Sequence, residues 1–420
     1  MKYLIFTLAA ACAVTLNAKT PDAWFDNAVD RAKTQLTATA ESITEYGAFP
    51  RSVKSDYSLE QLCSQMECTA ADFKPEVEMM AHPTPADHRK TFMCNYADWT
   101  SGFFPGSLWL TYELTGDGQL KAQAARYTNM LLPVSKMKDT HDLGFMAGCS
   151  YGNALRLAPA DTIKSVLVET AANLAGRFDP TIGCIRSWDF GPWNFPVIID
   201  NMMNLNLLYT AARLTGDKRF AEIATRHAET TLRNHFRPDH SCFHVVSYNP
   251  DGTVERKQTF QGKNDSSSWS RGQGWALYGF TETYRNTGRK EFLSHARAVA
   301  DMIIARNNTD DLIPLWDLDA ADGPATPRDA SAAAVIASGM IDLSKQLKNG
   351  GRKYFDYAEK LLKSLASDRY LAAEGSNNGF VLMHSTGSLP HGSEIDTPLN
   401  YADYYFLEAL LRYRDALASL

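Results

Sequence analysis

Six times along this 420-residue chain, a cluster of Asp, Trp, His or Arg is followed by an apolar helical run, a turn and a second helical pattern. The clusters are Asp98-Trp99, His141-Asp142, Asp200-Asn201, Trp269-Ser270-Arg271, Arg328-Asp329 and Asn400-Tyr401. Three of the runs end alike, in LTGD at Gly116, LTGD at Gly216 and NTGR at Gly288. From Asp98, Asp200 and Ser270 those glycines lie 18, 16 and 18 residues on, about four to five turns at 3.6 residues per turn. A glycine just past such a run supplies the left-handed residue that stops a helix. Residues 22-45, 118-135, 160-177, 218-235, 289-307 and 352-367 alternate apolar and charged residues at helical spacing, as outer helices do. Runs such as MMNLNLLYTAARL are apolar on most sides and belong inside. Six outer-inner pairs closed into a ring leave no raw end, so the expected fold is all-α, an (α/α)6 toroid.

That geometry would collect the six clusters at the N-termini of parallel inner helices, on one rim. Backbone N–H groups and positive helix ends converge there and favour an anionic ligand. The plainer reading of each Asp or Ser is an ordinary helix cap. Acid, tryptophan, histidine and arginine recurring together argue for a site instead.

With 45% hydrophobic residues and no Gly/Ser linker, the chain reads as one catalytic domain over residues 19-420. A formal charge of -6 argues against nucleic acid or an acidic membrane as partner. The first eighteen residues carry Lys2, an apolar stretch and Ala18, the pattern of a secretory signal peptide that is too short to span a bilayer. Export to the periplasm of a Gram-negative bacterium is therefore expected. A lipoprotein reading at Cys12 is weakened by Ala9, where Leu is usual. No later stretch reads as a membrane span, and oligomeric state is not legible.

Removal of the signal leaves Cys63, Cys68, Cys94, Cys149, Cys184 and Cys242. Cys63 with Cys68 or Cys94 are the expected disulfide pairs, because they share a long non-helical segment. Cys149 and Cys184 read as buried or loop thiols, and no Cys/His spacing suggests zinc. Three irregular insertions, 46-97, 237-268 and 370-398, each precede an inner helix and should project over the rim. The second contains a hairpin signal, FHVVSY then NPDG then TVERKQTF. It would bring His244 and Gln261 to the mouth of a pocket.

The strings HDLGF (His141 to Phe145), IIDNMMNL (Ile198 to Leu205), SSWSRGQGWALYGF (Ser267 to Phe280) and PRDASAAAV (Pro327 to Val335) resemble the unsaturated glucuronyl hydrolases of glycoside hydrolase family 88. The resemblance runs from about Asp98 to the C-terminus. It implies an enzyme acting on lyase-generated glycosaminoglycan oligosaccharides that end in a 4,5-unsaturated uronic acid. The reaction hydrates the C4=C5 vinyl ether: an Asp protonates C4, water adds at C5, and the hemiketal opens to release the aglycone. The rule linking carboxylate separation to retention or inversion does not transfer to this chemistry.

By the same resemblance Asp200 is the general acid and base and Asp142 the second catalytic carboxylate. Protonating carbon needs an acid that keeps its proton near neutral pH, which burial and a neighbouring carboxylate promote. Arg271 is expected to hold the uronate carboxylate bidentately. Trp99, Trp269 and Trp275 are expected on sugar faces, with inner-helix packing the plainer reading for Trp275. His141, His244 and Gln261 complete the expected sugar contacts, and Arg328-Asp329 reads first as a structural pair. No cofactor or metal is implied. Members that prefer sulfated disaccharides carry Ser-x-x-Ser-x-Lys in the C-terminal loop. This chain has Ser385 and Ser388 but Pro390 in place of the lysine, with Lys263 and His391 as candidate replacements.

Three other readings use the same toroid. An unsaturated rhamnogalacturonyl hydrolase acting on pectin fragments would lean on one aspartate, against the two in HDLGF and IIDN. A sugar 2-epimerase would want facing histidines, and His141 with His244 is a poor match. A non-catalytic sugar-binding protein would not require two acids.

Overall fold

The computed structural model describes residues 22–54, 90–321 and 323–418, and these form twelve α-helices. The outer six are α1 (Ala23–Ser42), α3 (Gly118–Met130), α5 (Asp161–Ala175), α7 (Lys218–Asn234), α9 (Lys290–Arg306) and α11 (Arg352–Leu365). The inner six are α2 (Phe103–Thr115), α4 (Cys149–Leu157), α6 (Asn201–Thr215), α8 (Ser270–Thr287), α10 (Ala330–Gln346) and α12 (Asn400–Leu417). The inner helices follow one another around the ring, with α6 meeting the π turn Gly144–Gly148 that precedes α4, and α12 returns to α2, so the ring closes. Trp109, Leu208, Trp275, Leu277, Ile336 and Leu407 are all buried in the single large core this creates.

The repeated tetrapeptide works as a stop followed by a start. Gly116, Gly216 and Gly288 take φ of 72°, 75° and 68°, and their N–H groups return to the carbonyls of Tyr112, Ala212 and Tyr284. A side chain there would be strained, so glycine ends the helix. The next residue begins the return helix: Asp117 accepts from Gln119 N, and Asp217 from Arg219 N. Arg289, in NTGR, makes no such side-chain cap.

Two helices depart from expectation. The pattern over 118-135 divides into α3 and a 3-10 turn, Leu132–Lys136, because Pro133 has no N–H to continue an α-helix. The run after His141-Asp142 starts as a π turn, Gly144–Gly148, before α4.

The three insertions, together with the segment between α5 and α6, form short antiparallel sheets. They are β1 (Phe49–Val53) with β2 (Thr91–Cys94), β3 (Phe178–Asp179) with β4 (Cys184–Ile185), and β5 (Pro196–Ile198) with β6 (Val245–Tyr248) and β7 (Val254–Gln258). The last is β8 (Ser385–Ser388) with β9 (Ser393–Thr397). The expected hairpin is β6–β7, turning through Gly252 at φ 85°.

Cys63 and Cys68 lie outside the described residues, as does the signal segment. Cys94, Cys149, Cys184 and Cys242 carry free thiols, with Cys149 and Cys184 buried. Among the described residues no helix is long and apolar enough to cross a membrane.

At the far end of the ring a cavity of about 540 Å³ opens between the C-terminal halves of the inner helices. Several of its charges are paired: Arg285 reaches Glu282 at 2.6 Å and the neighbouring Asp342 at 3.0 Å, and Arg412 reaches Glu408 at 3.3 Å. Cations suit helix C-termini. The clustered acids and aromatics singled out in the sequence are at the opposite end.

Candidate active site

The rim cavity has a volume of about 420 Å³ and is lined by residues from several separated segments, the first at Arg51 and the last at Tyr401. Trp99, Asp142, Gln261 and Ser388 stand on its wall. Asp200 and His244 are buried, 7% and 3% exposed, and are not among the residues that line the cavity.

Asp200 occupies the N-cap position of α6 yet makes no capping bond. Its Oδ2 is buried, has no hydrogen-bond partner and lies 3.5 Å from His244 Nε2. Opposite it, His244 Nδ1 accepts the N–H groups of Phe260 and Gln261, both at 3.1 Å. A ring nitrogen that accepts cannot carry the proton, so the neutral imidazole has its N–H at Nε2, facing Asp200. At 3.5 Å this contact is longer than a normal hydrogen bond, and such catalytic contacts tighten when substrate binds.

Asp142 precedes the π turn and is 15% exposed at its side chain. Thr140 Oγ1 donates to its Oδ2 at 3.0 Å. Burial pushes the Asp142 carboxyl above the usual range, His141 pulls it partly back and the charge of Asp200 raises it further. The two catalytic candidates are thus electrostatically coupled. His141 is fully buried, and burial lowers its pKa against the opposing pull of Asp142 and Asp200. Its Nε2 lies 3.3 Å from Asp142 Oδ1 but lacks the alignment of a hydrogen bond, so a neutral packed ring describes it better than an ion pair.

Other candidates do not face the cavity. Trp275 is completely buried against Phe145 and Tyr405, with ring centroids 5.3 Å away in each case. Trp269 is 3% exposed, sandwiched by His244 at 4.6 Å and the Arg271 guanidinium at 4.5 Å. Arg271, expected to grip a carboxylate of the substrate, is 1% exposed and committed within the protein. It donates to Asp329 Oδ2 at 2.8 Å, Thr386 O at 2.6 Å and Gly387 O at 2.5 Å. It thereby ties β8 to the ring, because a guanidinium fork can bridge a carboxylate and carbonyls at once. Asp329 also caps α10 through Ser331 N, so the structural pair is Arg271–Asp329, while Arg328 reaches Asp310 at 3.3 Å. Ser385 is buried in β8 with no partner for its hydroxyl.

Several wall residues were not assigned from sequence. Arg51 donates to Asp98 at 2.5 Å and to Glu394 at 2.7 Å and 3.1 Å, joining β1 to β9 across the cavity wall. Trp188, Phe190 and Phe260 form an aromatic side, with centroids 5.1 Å apart for Trp188–Phe190 and 5.0 Å for Trp188–Phe260. The aromatic density of SWDFGPWNF was the available signal. For Arg51 there was none, since both its partners are distant in sequence. His391 packs on Phe260 at 4.2 Å and contacts Ser388 Oγ at 2.5 Å, and burial drives its pKa down to about 4. Lys263 is not on the wall; its backbone N–H binds Asp317. No cluster of three His, Cys, Asp or Glu among the described residues is arranged to hold a metal ion.

A toroid with two coupled carboxylates, one buried and one on the wall of an aromatic-lined cavity, suits a sugar-processing site, and comparison with known proteins places it. Residues 74–408 match the model of Glycosyl Hydrolase Family 88, and residues 2–68 match a domain of unknown function. The chain belongs to glycosyl hydrolase family 88. It is 44% identical over 325 residues to an unsaturated glucuronyl hydrolase of Formosa agariphila, covering 76% of this chain and 81% of that one. It is 31% identical to the unsaturated glucuronyl hydrolase of Bacillus sp. strain GL1, covering 82% and 93%. A crystal structure of an unsaturated glucuronyl hydrolase specific for heparin superimposes with a TM-score of 0.84 at 46% identity, covering 94% of this chain and 98% of that one.

Proposed function

We propose that this chain removes the 4,5-unsaturated glucuronic acid from the non-reducing end of lyase-generated glycosaminoglycan oligosaccharides by hydrating the C4=C5 vinyl ether. The observation that carries this reading is the Asp200 carboxyl, uncapped and buried, with His244 Nε2 3.5 Å from its Oδ2 and Asp142 coupled to it. Asp200 protonates C4 and takes a proton from the water that adds at C5. The C5 hemiketal then opens, and the aglycone leaves with its hydroxyl. His244 orients the carboxylate, while Asp142, whose carboxyl burial pushes above the usual range, limits the negative charge beside it. General acid–base catalysis by such a group contributes on the order of 10² to 10⁴ in rate. Trp99, Trp188 and Phe260 offer faces on which sugar rings stack.

Among disaccharides the reading favours an unsulfated aglycone. Pro390 supplies no charge, and the neutral His391 engages Ser388 Oγ rather than leaving that hydroxyl to a sulfate. The apolar leader with Lys2 and Ala18 supports export to the periplasm, to be checked by fractionation.

The test is loss of the ultraviolet absorbance of the conjugated uronate with chondroitin, hyaluronan, heparin and rhamnogalacturonan lyase products, each sulfated and unsulfated where available. Decay with glycosaminoglycan disaccharides, abolished by Asp200→Asn, is expected. Decay with the rhamnogalacturonan product alone would move the substrate to pectin fragments. Absence of decay with folded protein would leave a binding role.

A further inference from the structure

We infer that the π turn Gly144–Gly148 sets the spacing between the two catalytic carboxylates and that Asn204 is the positioning residue that holds it; this rests on the assignment of Asp142 and Asp200 above. The turn starts two residues after Asp142, and Asn204 lies one helical turn after Asp200 on α6. Asn204 Oδ1 accepts the backbone N–H of Phe145 at 2.8 Å, in a fully buried position. Gly144 makes the approach possible, because a Cβ there would run into Asn204 Cα and Oδ1. On its other side the turn is gripped by Gly102, just past Trp99, where a Cβ would meet the carbonyls of Phe145 and Met146.

The widened turn is therefore clamped between the Asp98-Trp99 loop and the helix that carries Asp200. Turns of this kind interrupt α-helices mainly at functional sites, since they redirect the chain by one residue. Here the consequence is specific. An α-helical start in place of the π turn would rotate and withdraw Asp142 relative to α6, whereas the bond from Phe145 N to Asn204 makes the two carboxylates move as one body. Neither Asn204 nor Gly144 lines the rim cavity, so their effect on catalysis runs through Asp142. The Asn204 amide nitrogen has no hydrogen-bond partner in the protein, so the side chain's polar contact is the one its Oδ1 makes with Phe145 N.

The experiment compares Asn204→Ala, Asn204→Asp and Gly144→Ala with Asp142→Asn and Asp200→Asn, measuring kcat, KM, the pH dependence of kcat and the folded fraction. Asn204→Ala and Gly144→Ala are expected to lower kcat per folded molecule roughly tenfold to a hundredfold, the scale of a 1 Å misplacement. KM should change little and the pH profile should shift as the carboxylates decouple. Asn204→Asp keeps the acceptor for Phe145 N and should retain more activity than Asn204→Ala. Wild-type kcat and pH profile in folded Asn204→Ala would overturn the inference, as would a loss explained entirely by a smaller folded fraction. Full activity in Asp142→Asn and Asp200→Asn would instead overturn the site assignment beneath it.

Discussion

His244 Nε2 faces Asp200 Oδ2 across 3.5 Å, and two backbone N–H groups on Nδ1 leave the proton of the neutral ring only that nitrogen. Replacing His244 with Phe keeps the ring volume beside Trp269 but removes both functions. kcat should fall on the order of 10²-fold or more, with the folded state retained, as checked by steady-state kinetics alongside circular dichroism. A variant with near-normal kcat would mean that Asp200 needs no orienting donor.

Burial of Asp142 makes its contribution to stability depend on pH. Its folded pKa is raised above the unfolded value, so its stabilising contribution is complete below that value, about pH 4, and is lost as pH rises through the raised one. Asn is uncharged at every pH and avoids the loss. Asp142→Asn should therefore melt higher than wild type at neutral pH, with the gap closing toward acid, while activity drops sharply. Calorimetry across pH checks this, and a pH-independent gap would remove the burial argument.

Arg51 is held between Asp98 and Glu394 with only 3% of its side chain exposed. Removing one partner of a buried ion pair typically costs about 3–5 kcal/mol, because a charge is left behind without compensation. Arg51→Met should lose stability on that scale and raise KM by loosening the wall between β1 and β9. Adding Glu394→Leu should restore part of the stability; denaturant unfolding of single and double variants measures the difference.

Asp403 carries a second pH signature, away from the cavity. It is buried in α12 and accepts the N–H groups of Val381 and Leu382 at 3.0 Å and 2.8 Å, yet burial outweighs these bonds and raises its pKa to about 7. Its stabilising contribution is full below the unfolded value and declines as pH rises toward 7. Asp403→Asn loses one acceptor but has no charge to desolvate, so its stability deficit should narrow between acid and neutral pH. Unfolding curves at several pH values read this directly.

Much of the frame was legible because its determinants are local. The stop-and-start chemistry of Gly116-Asp117 and Gly216-Asp217 acts within four residues, and the apolar periods of the helices act within one or two turns. The hairpin at Gly252 is equally local. The π turn after Asp142 was not legible, because what holds it is Asn204, 59 residues on from Phe145. The tryptophans were only partly legible: Trp275 read first as inner-helix packing and is sealed in the ring, but Trp269, expected on a sugar face, is 3% exposed between His244 and Arg271, and Trp99 reaches the wall from a turn.

The sequence alone determined twelve helices in six pairs, the rim on which the clusters gather, and the candidacy of Asp142 and Asp200, since helix periodicity, glycine caps and short motifs are written over a few neighbouring residues. Only the tertiary structure decided that Asp200 is left uncapped, that His244 presents Nε2–H to it, that Arg271 binds Asp329 and the β8 carbonyls, and that Arg51 from the start of the chain supports the wall. Those outcomes depend on groups brought together from up to 343 residues apart, and a side chain's commitments there follow from burial and geometry that no local pattern records.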